Sequence, residues 1–255
     1  MLKKNRKNVN DPSKEGVIEF INIDQQVFLK PQRIDLPAWY KDLPIFTKLR
    51  EHDQIEDFTV KRCIPVLDAL TTGYHLVTTV DYHFKYNPET GESEISGDLD
   101  VLSNKPITMH PVTQLGNTEL SPEYIRYAYK WGNSWLIKTP PGYSCMFVHP
   151  LDGIHLPFKT LDGVVDTDKY IMPVLFPFLM KNNFEGTIPA GTPVVQIIPF
   201  KRDDWKMVVT NKIDHELHHQ YDGERIEYEK GRYHEDGTPA GGMYKRDYRV
   251  KKRYR

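Results

Sequence analysis

A mainly antiparallel β body, preceded by an arm and followed by one helix and a basic tail, is the fold class that the sequence predicts. Three observations carry it. From Trp131 to Phe200 short apolar runs alternate with proline and glycine turns. No amphipathic helix separates those runs, as a parallel βαβ sheet would require. Beyond Arg202 the apolar spacing changes from the period of a strand to that of a helix.

Taken in order, residues 1–56 read as an N-terminal arm. It starts basic, passes through a strand-like run from Gly16 to Ile23, and becomes irregular between Pro31 and Pro44, where prolines flank Trp39 and Tyr40. Residues 57–202 read as the β-rich core. β-branched and aromatic residues are dense from Phe58 to Val66, and again from Tyr74 to Tyr86. There Leu76, Thr78, Val80, Tyr82 and Phe84 share one face of a single strand. The turn at Asn87 to Glu92 makes a hairpin tip. Further strands are expected at 134–138, 140–148, 163–166, 173–178, 184–188 and 194–200. In residues 203–255, Trp205, Val208, Val209, Ile213, Leu217 and Tyr221 predict one helix, with Asp203 and Asp204 in its first turn and Gly223 as its stop. A glycine cluster then leads into the tail.

Composition narrows the function classes. The 255 residues hold 34 Lys and Arg against 35 Asp and Glu, so no global charge selects a partner. The near-zero sum hides an uneven distribution. Residues 244–255 carry seven Lys or Arg (Lys245, Arg246, Arg249, Lys251, Lys252, Arg253, Arg255) against Asp247, for +6, and the first ten residues carry +4, leaving −11 for the rest. Basic ends on an acidic body can pair with that body, with another subunit, or with a polyanion such as nucleic acid, on whose bases Tyr244, Tyr248 and Tyr254 would stack. Cys63 and Cys145 are the two cysteines, too few for a disulfide framework or a cysteine zinc site. No apolar run is long enough for a membrane helix. The basic start lacks the apolar core of a secretory signal, so a cytoplasmic location is expected.

Two motifs bear on chemistry. His215, Glu216 and His219 satisfy the H-E-x-x-H form of zinc peptidases. On a helix, however, both histidines lie about 160° from Leu217 and its apolar stripe, which turns them to water. Arg225 also stands where a third histidine ligand would be. The reading is an exposed polar helix face and no metal.

The second constellation is Pro140-Pro141-Gly142-Tyr143, then Gly163-Val164-Val165-Asp166 with Tyr170, then Gly191-Thr192-Pro193-Val194-Val195-Gln196. Over residues 140–200 the chain resembles the dUTPase and dCTP deaminase superfamily. That resemblance implies a β-clip, or distorted barrel, and a homotrimer. It also implies that Asp166 matches the aspartate orienting the attacking water, that Tyr170, one residue late because Lys169 intervenes, resembles the tyrosine under the base, and that Gln196 matches the glutamine near the phosphates. The family's Arg-Ser-Ser-like phosphate grip is replaced by Phe147 to Asp152, and Asp152 would repel a triphosphate. A wider set of residues resembles a family of tailed-bacteriophage proteins, especially of marine phages. It includes Pro37 to Pro44, Cys63 to Tyr74, Lys138 to Ser144, and Ile198 to Trp205.

The resemblances and the missing phosphate donors together imply a non-catalytic phage structural, assembly or binding protein, free of cofactor and probing no membrane. It would be oligomeric, in the host cytoplasm or incorporated in the virion with other virion proteins. The alternative is a divergent Mg²⁺-dependent dUTP or dCTP hydrolase, or a nucleotide sensor, with Asp166 as base, Tyr170 stacking and Gln196 at phosphate.

Overall fold

The computed structural model describes residues 16–24, 27–48, 56–97, 106–110, 116, 122–211, 214–230 and 244–255. The chain groups into two compact units, each built from separated stretches: residues 1–33 with 73–202, and residues 34–72 with 203–255.

The first unit is built from antiparallel sheets. Its strands are β1 (Glu19–Asn22) and β2 (Leu29–Arg33), and in the second unit β3 (Phe46–Lys48) pairs with β4 (Glu56–Phe58). The first unit continues with β5 (Tyr74–Thr78), β6 (Tyr82–Asn87), β7 (Glu92–Gly97), β8 (Ile107–Met109), β9 (Tyr124–Trp131), β10 (Trp135–Lys138), β11 (Tyr143–Val148), β12 (Phe158–Thr160), β13 (Gly163–Val165), β14 (Phe176–Lys181), β15 (Gly186–Ile188) and β16 (Pro193–Lys201). A five-stranded sheet runs β13-β11-β16-β5-β2, a four-stranded one β12-β14-β9-β8, and a three-stranded one β15-β6-β7, while β1 pairs with β10. Each is an open ladder with two edges. The expectation of a mainly β, antiparallel body holds.

Alternation along the strands builds the core. Leu76, Phe147, Val195 and Ile197 of the five-stranded sheet are buried in one cluster with Trp131, Phe158, Phe176 and Phe178 of the four-stranded one. Trp131 stacks on Phe178 with centroids 4.3 Å apart, and Tyr82 and Phe158 meet its ring edge-on at 5.5 and 5.4 Å. Burying each such ring contributes about 1.5–3 kcal/mol, and the ring pairs add about 1 kcal/mol more.

The run from Tyr74 to Tyr86 is two strands in two sheets, not one. The chain breaks at Thr79-Val80-Asp81, where Thr79 donates from its amide to the Phe28 carbonyl (3.1 Å) and from its hydroxyl to Val27 (2.6 Å). Asp81 accepts from the Ala190 amide at 2.7 Å. These bonds to residues 51 to 109 positions away hold the break outside either ladder, and alternation alone does not register them.

In the second unit, the irregular arm contains α1 (Ala38–Asp42), and the β-branched stretch after Phe58 becomes a 3₁₀ turn followed by α2 (Ile64–Leu70). Pro65 stands in the first turn of α2, where its missing N–H costs nothing. The helix expected over Trp205 to Gly223 is displaced. Residues 203–211 lie in no helix or strand, and α3 (His215–Lys230) starts ten residues after Trp205 and runs through Gly223. Asp214 sets that start by capping the Glu216 and Leu217 amides, both at 3.1 Å. Leu217 and Tyr221 are exposed, so the inward apolar stripe assigned to them is absent. Ile213 and the glycine cluster lie outside the described residues. No helix among the described residues is long and apolar enough to cross a membrane.

Candidate functional site: an arginine-centred carboxylate cluster

The turn before β11 follows from its sequence. Pro141 and Gly142 occupy the two central positions, Gly142 has φ +86°, and the Tyr143 amide closes the turn on the Pro140 carbonyl at 3.2 Å. That is the residue pattern a type II turn demands. The turn after β13 is stapled to it. The Thr139 and Thr167 hydroxyls are 2.7 Å apart, and the Gly142 amide donates to Asp168 Oδ2 at 2.9 Å.

Arg202, directly after β16, closes the arrangement. Its amide donates to the Gly142 carbonyl at 2.8 Å. Its guanidinium forks onto both oxygens of Asp168, with Nη1 to Oδ1 at 2.8 Å, and reaches Ser144 Oγ at 2.9 Å and Asp166 Oδ1 at 3.2 Å. Ser144 Oγ also donates to Asp166 Oδ1 at 2.7 Å. The Arg202 hydrogen bonds, and then the Gly142 amide, hold the Asp168 carboxyl well below the usual carboxylate range. Arg202 is raised in turn by Asp168.

Of the three residues singled out from the sequence, two share this corner. Asp166 is half exposed, and its carbonyl accepts the Tyr170 amide at 2.9 Å, so both belong to one turn; the Tyr170 ring is exposed. Gln196 lies elsewhere. Register places Asp166 one residue beyond the Val165 and Cys145 pair, beside Ser144, whereas Gln196 pairs with Val148. Four residues along a strand is about 13 Å. Within one chain, therefore, Gln196 does not meet the other two. It is buried, accepts the Leu151 amide at 3.0 Å, and sits opposite His75 across β16 and β5. Burial pulls the His75 pKa down, with Asp152 and Gln196 opposing it. The row is a neutral polar stripe under the loop that follows β11.

Arg202, Ser144 and Asp168 went unnoticed in the sequence. An arginine directly after a strand carries no local signature, and its partners are 34 and 58 positions away. Within the H-E-x-x-H segment His218 pairs with Asp222 at 3.1 Å, and among the described residues no group of three or more His, Cys, Asp or Glu is placed to hold a metal ion. The residues here do not fit Mg²⁺ either, because Asp166 and Asp168 both face a guanidinium that would repel a divalent cation. Cys145 is buried, its thiol pushed up to about 11 by burial, which removes it as a nucleophile.

Comparison with known proteins finds no family model that matches this chain and no curated protein that matches its sequence.

The basic tail is partly bound within the second unit. Arg249 forms an ion pair with Asp68 of α2, whereas Lys245, Lys251, Lys252, Arg253 and Arg255 are exposed. The side chain of Arg246 lies outside the described residues.

Proposed function

We propose that the chain is a non-catalytic assembly or binding protein of a tailed bacteriophage, working as a homo-oligomer, a trimer on a β-clip scaffold, and carried into the virion. The engagement of Asp166 supports this most. Its Oδ1 already accepts from Ser144 and Arg202, and Arg202, the cation bonded into this turn, is engaged by Asp168. Exposed apolar residues around β13 support self-association: Val164 and Met146 pair across the strands, and Ile171, Met172 and Leu175 follow close behind.

Light scattering on the purified chain tests the oligomer, with a mass of three chains expected. Mass spectrometry of purified virions tests the structural role; its absence from virions would refute that role.

A second reading, a nucleotide-binding sensor, rests on the Tyr170 ring, which offers an exposed stacking face at the turn that holds Asp166. A melting experiment with nucleotides separates the two.

A further inference from the structure

We propose that residues 204–211 are an exchange arm that docks on a second copy of this chain, against the apolar surface around β13. The arm leaves Arg202 in no helix or strand, and among the described residues it takes part in no backbone hydrogen bond. Yet it is apolar. Trp205 is 90% exposed, Met207 86%, Val208 73% and Val209 72%. Together these four side chains expose on the order of 500 Å². Water-filled surroundings do not stabilise such a segment; another protein surface does.

The chain carries a matching acceptor. The five-stranded sheet ends in β13 on one side and β2 on the other. The β2 edge is blunted by Pro31, which has no N–H to give, and by exposed Lys30 and Gln32. The β13 edge, Gly163–Val165, has neither proline nor charge. Around it Val164, Met146, Ile171 and Met172 are exposed, an area similar to that of the arm. One arm on one such surface buries about 1,000 Å² in total, the lower bound for a specific interface.

Geometry favours a second copy as the occupant. Arg202, the root of the arm, is bonded to Asp166 and Asp168 in the turn that directly follows β13, so donor and acceptor start from one corner of the first unit. Eight extended residues span about 27 Å. Copies related by a three-fold axis past that corner each give their arm to one neighbour and receive one from the other, which closes the assembly as a ring.

This inference rests on the self-association proposed above, and its test separates the two. The full chain, the arm variant Trp205→Ser with Val208→Ser, and the acceptor variant Val164→Asp with Ile171→Asp are compared by size-exclusion chromatography with light scattering, their folding checked by circular dichroism. The expected result is an oligomeric parent, two monomeric variants, and a 1:1 heterodimer when the variants are mixed, since each keeps the half that the other lost. An arm variant that retains the parent's mass overturns the arm but leaves self-association standing. Two monomeric variants that do not pair also overturn it, and a monomeric parent overturns both proposals. Should a variant lose its fold, Met207→Cys with Val164→Cys in a Cys63→Ser background replaces it: oxidation joins copies if the arm lies on β13, and chains that stay unjoined refute it.

Discussion

Arg249 grips Asp68 across 181 positions of sequence, Nη2 to Oδ1 at 2.5 Å and Nε to Oδ2 at 3.4 Å, with both side chains largely withdrawn from solvent. The pair ties the C-terminal stretch to α2 within the second unit. Removing one member leaves the other charge uncompensated, so Arg249→Ala is expected to destabilise the fold by about 2–3 kcal/mol, below the full cost for a wholly buried pair. Arg249→Lys should recover only part, because an ammonium cannot fork onto both oxygens. Urea denaturation measures both, and an unchanged midpoint for the alanine variant would refute the role.

The Arg202 and Asp168 pair predicts an acid-side dependence. The Asp168 pKa is depressed in the folded chain. Its contribution to stability is therefore complete above the unfolded carboxylate range, about pH 4, and is lost as pH falls through the lower folded value. Denaturant midpoints followed from about pH 7 to pH 2 should fall less steeply at the acid end for Asp168→Asn than for the parent. Parallel curves for the two proteins would contradict the assignment.

Nucleotides should not stabilise the chain if Asp166 serves Arg202 and Ser144. Thermal melting with dUTP or dCTP, with and without Mg²⁺, is expected to give the melting temperature of the protein alone. A rise of several degrees would instead show binding to the native state and favour the sensor reading. Asp166→Asn should cost less than about 1 kcal/mol, since the group is half exposed and Asp168 retains Arg202.

Two glycines with similar backbone angles should respond very differently to alanine. Gly73 has φ +82°, and a Cβ there would stand 2.0 Å from the Ile197 carbonyl oxygen; Gly142 has φ +86° with nothing within 4 Å. Gly142→Ala bears only the left-handed strain, about 1 kcal/mol. Gly73→Ala must also push β16 away, at a cost on the order of 4 kcal/mol. Equal midpoints for the two variants would show that β5 and β16 do not approach this closely.

The strands that turn residues delimit were legible in the sequence: β10, β11, β13, β14, β15 and β16 all fall within or against the expected runs. What escaped was set by distant contacts or short local bonds. The break after Thr78 depends on Phe28 and Ala190. The helical fate of Ile64–Leu70 was masked by its β-branched residues, although Pro65 marked its first turn. Periodicity after Arg202 suggested a helix from Trp205, but apolar spacing organises a helix only when a surface receives the stripe, and Leu217 and Tyr221 are exposed. At the site, Asp166 and Tyr170 were found together because one turn carries both. Gln196 was grouped with them by order along the chain, which says nothing about position along β11.

The second unit joins residues 34–72 to residues 203–255, and this fixes an order of events on the ribosome. The earlier stretch emerges first and must wait while the 130 residues from 73 to 202 are made, on the order of ten seconds at ordinary rates of synthesis. Throughout that delay α2 is without the arginine that later holds Asp68. A premature stop codon before Arg249 would thus remove the partner of Asp68 and damage residues 34–72, which are made long before it.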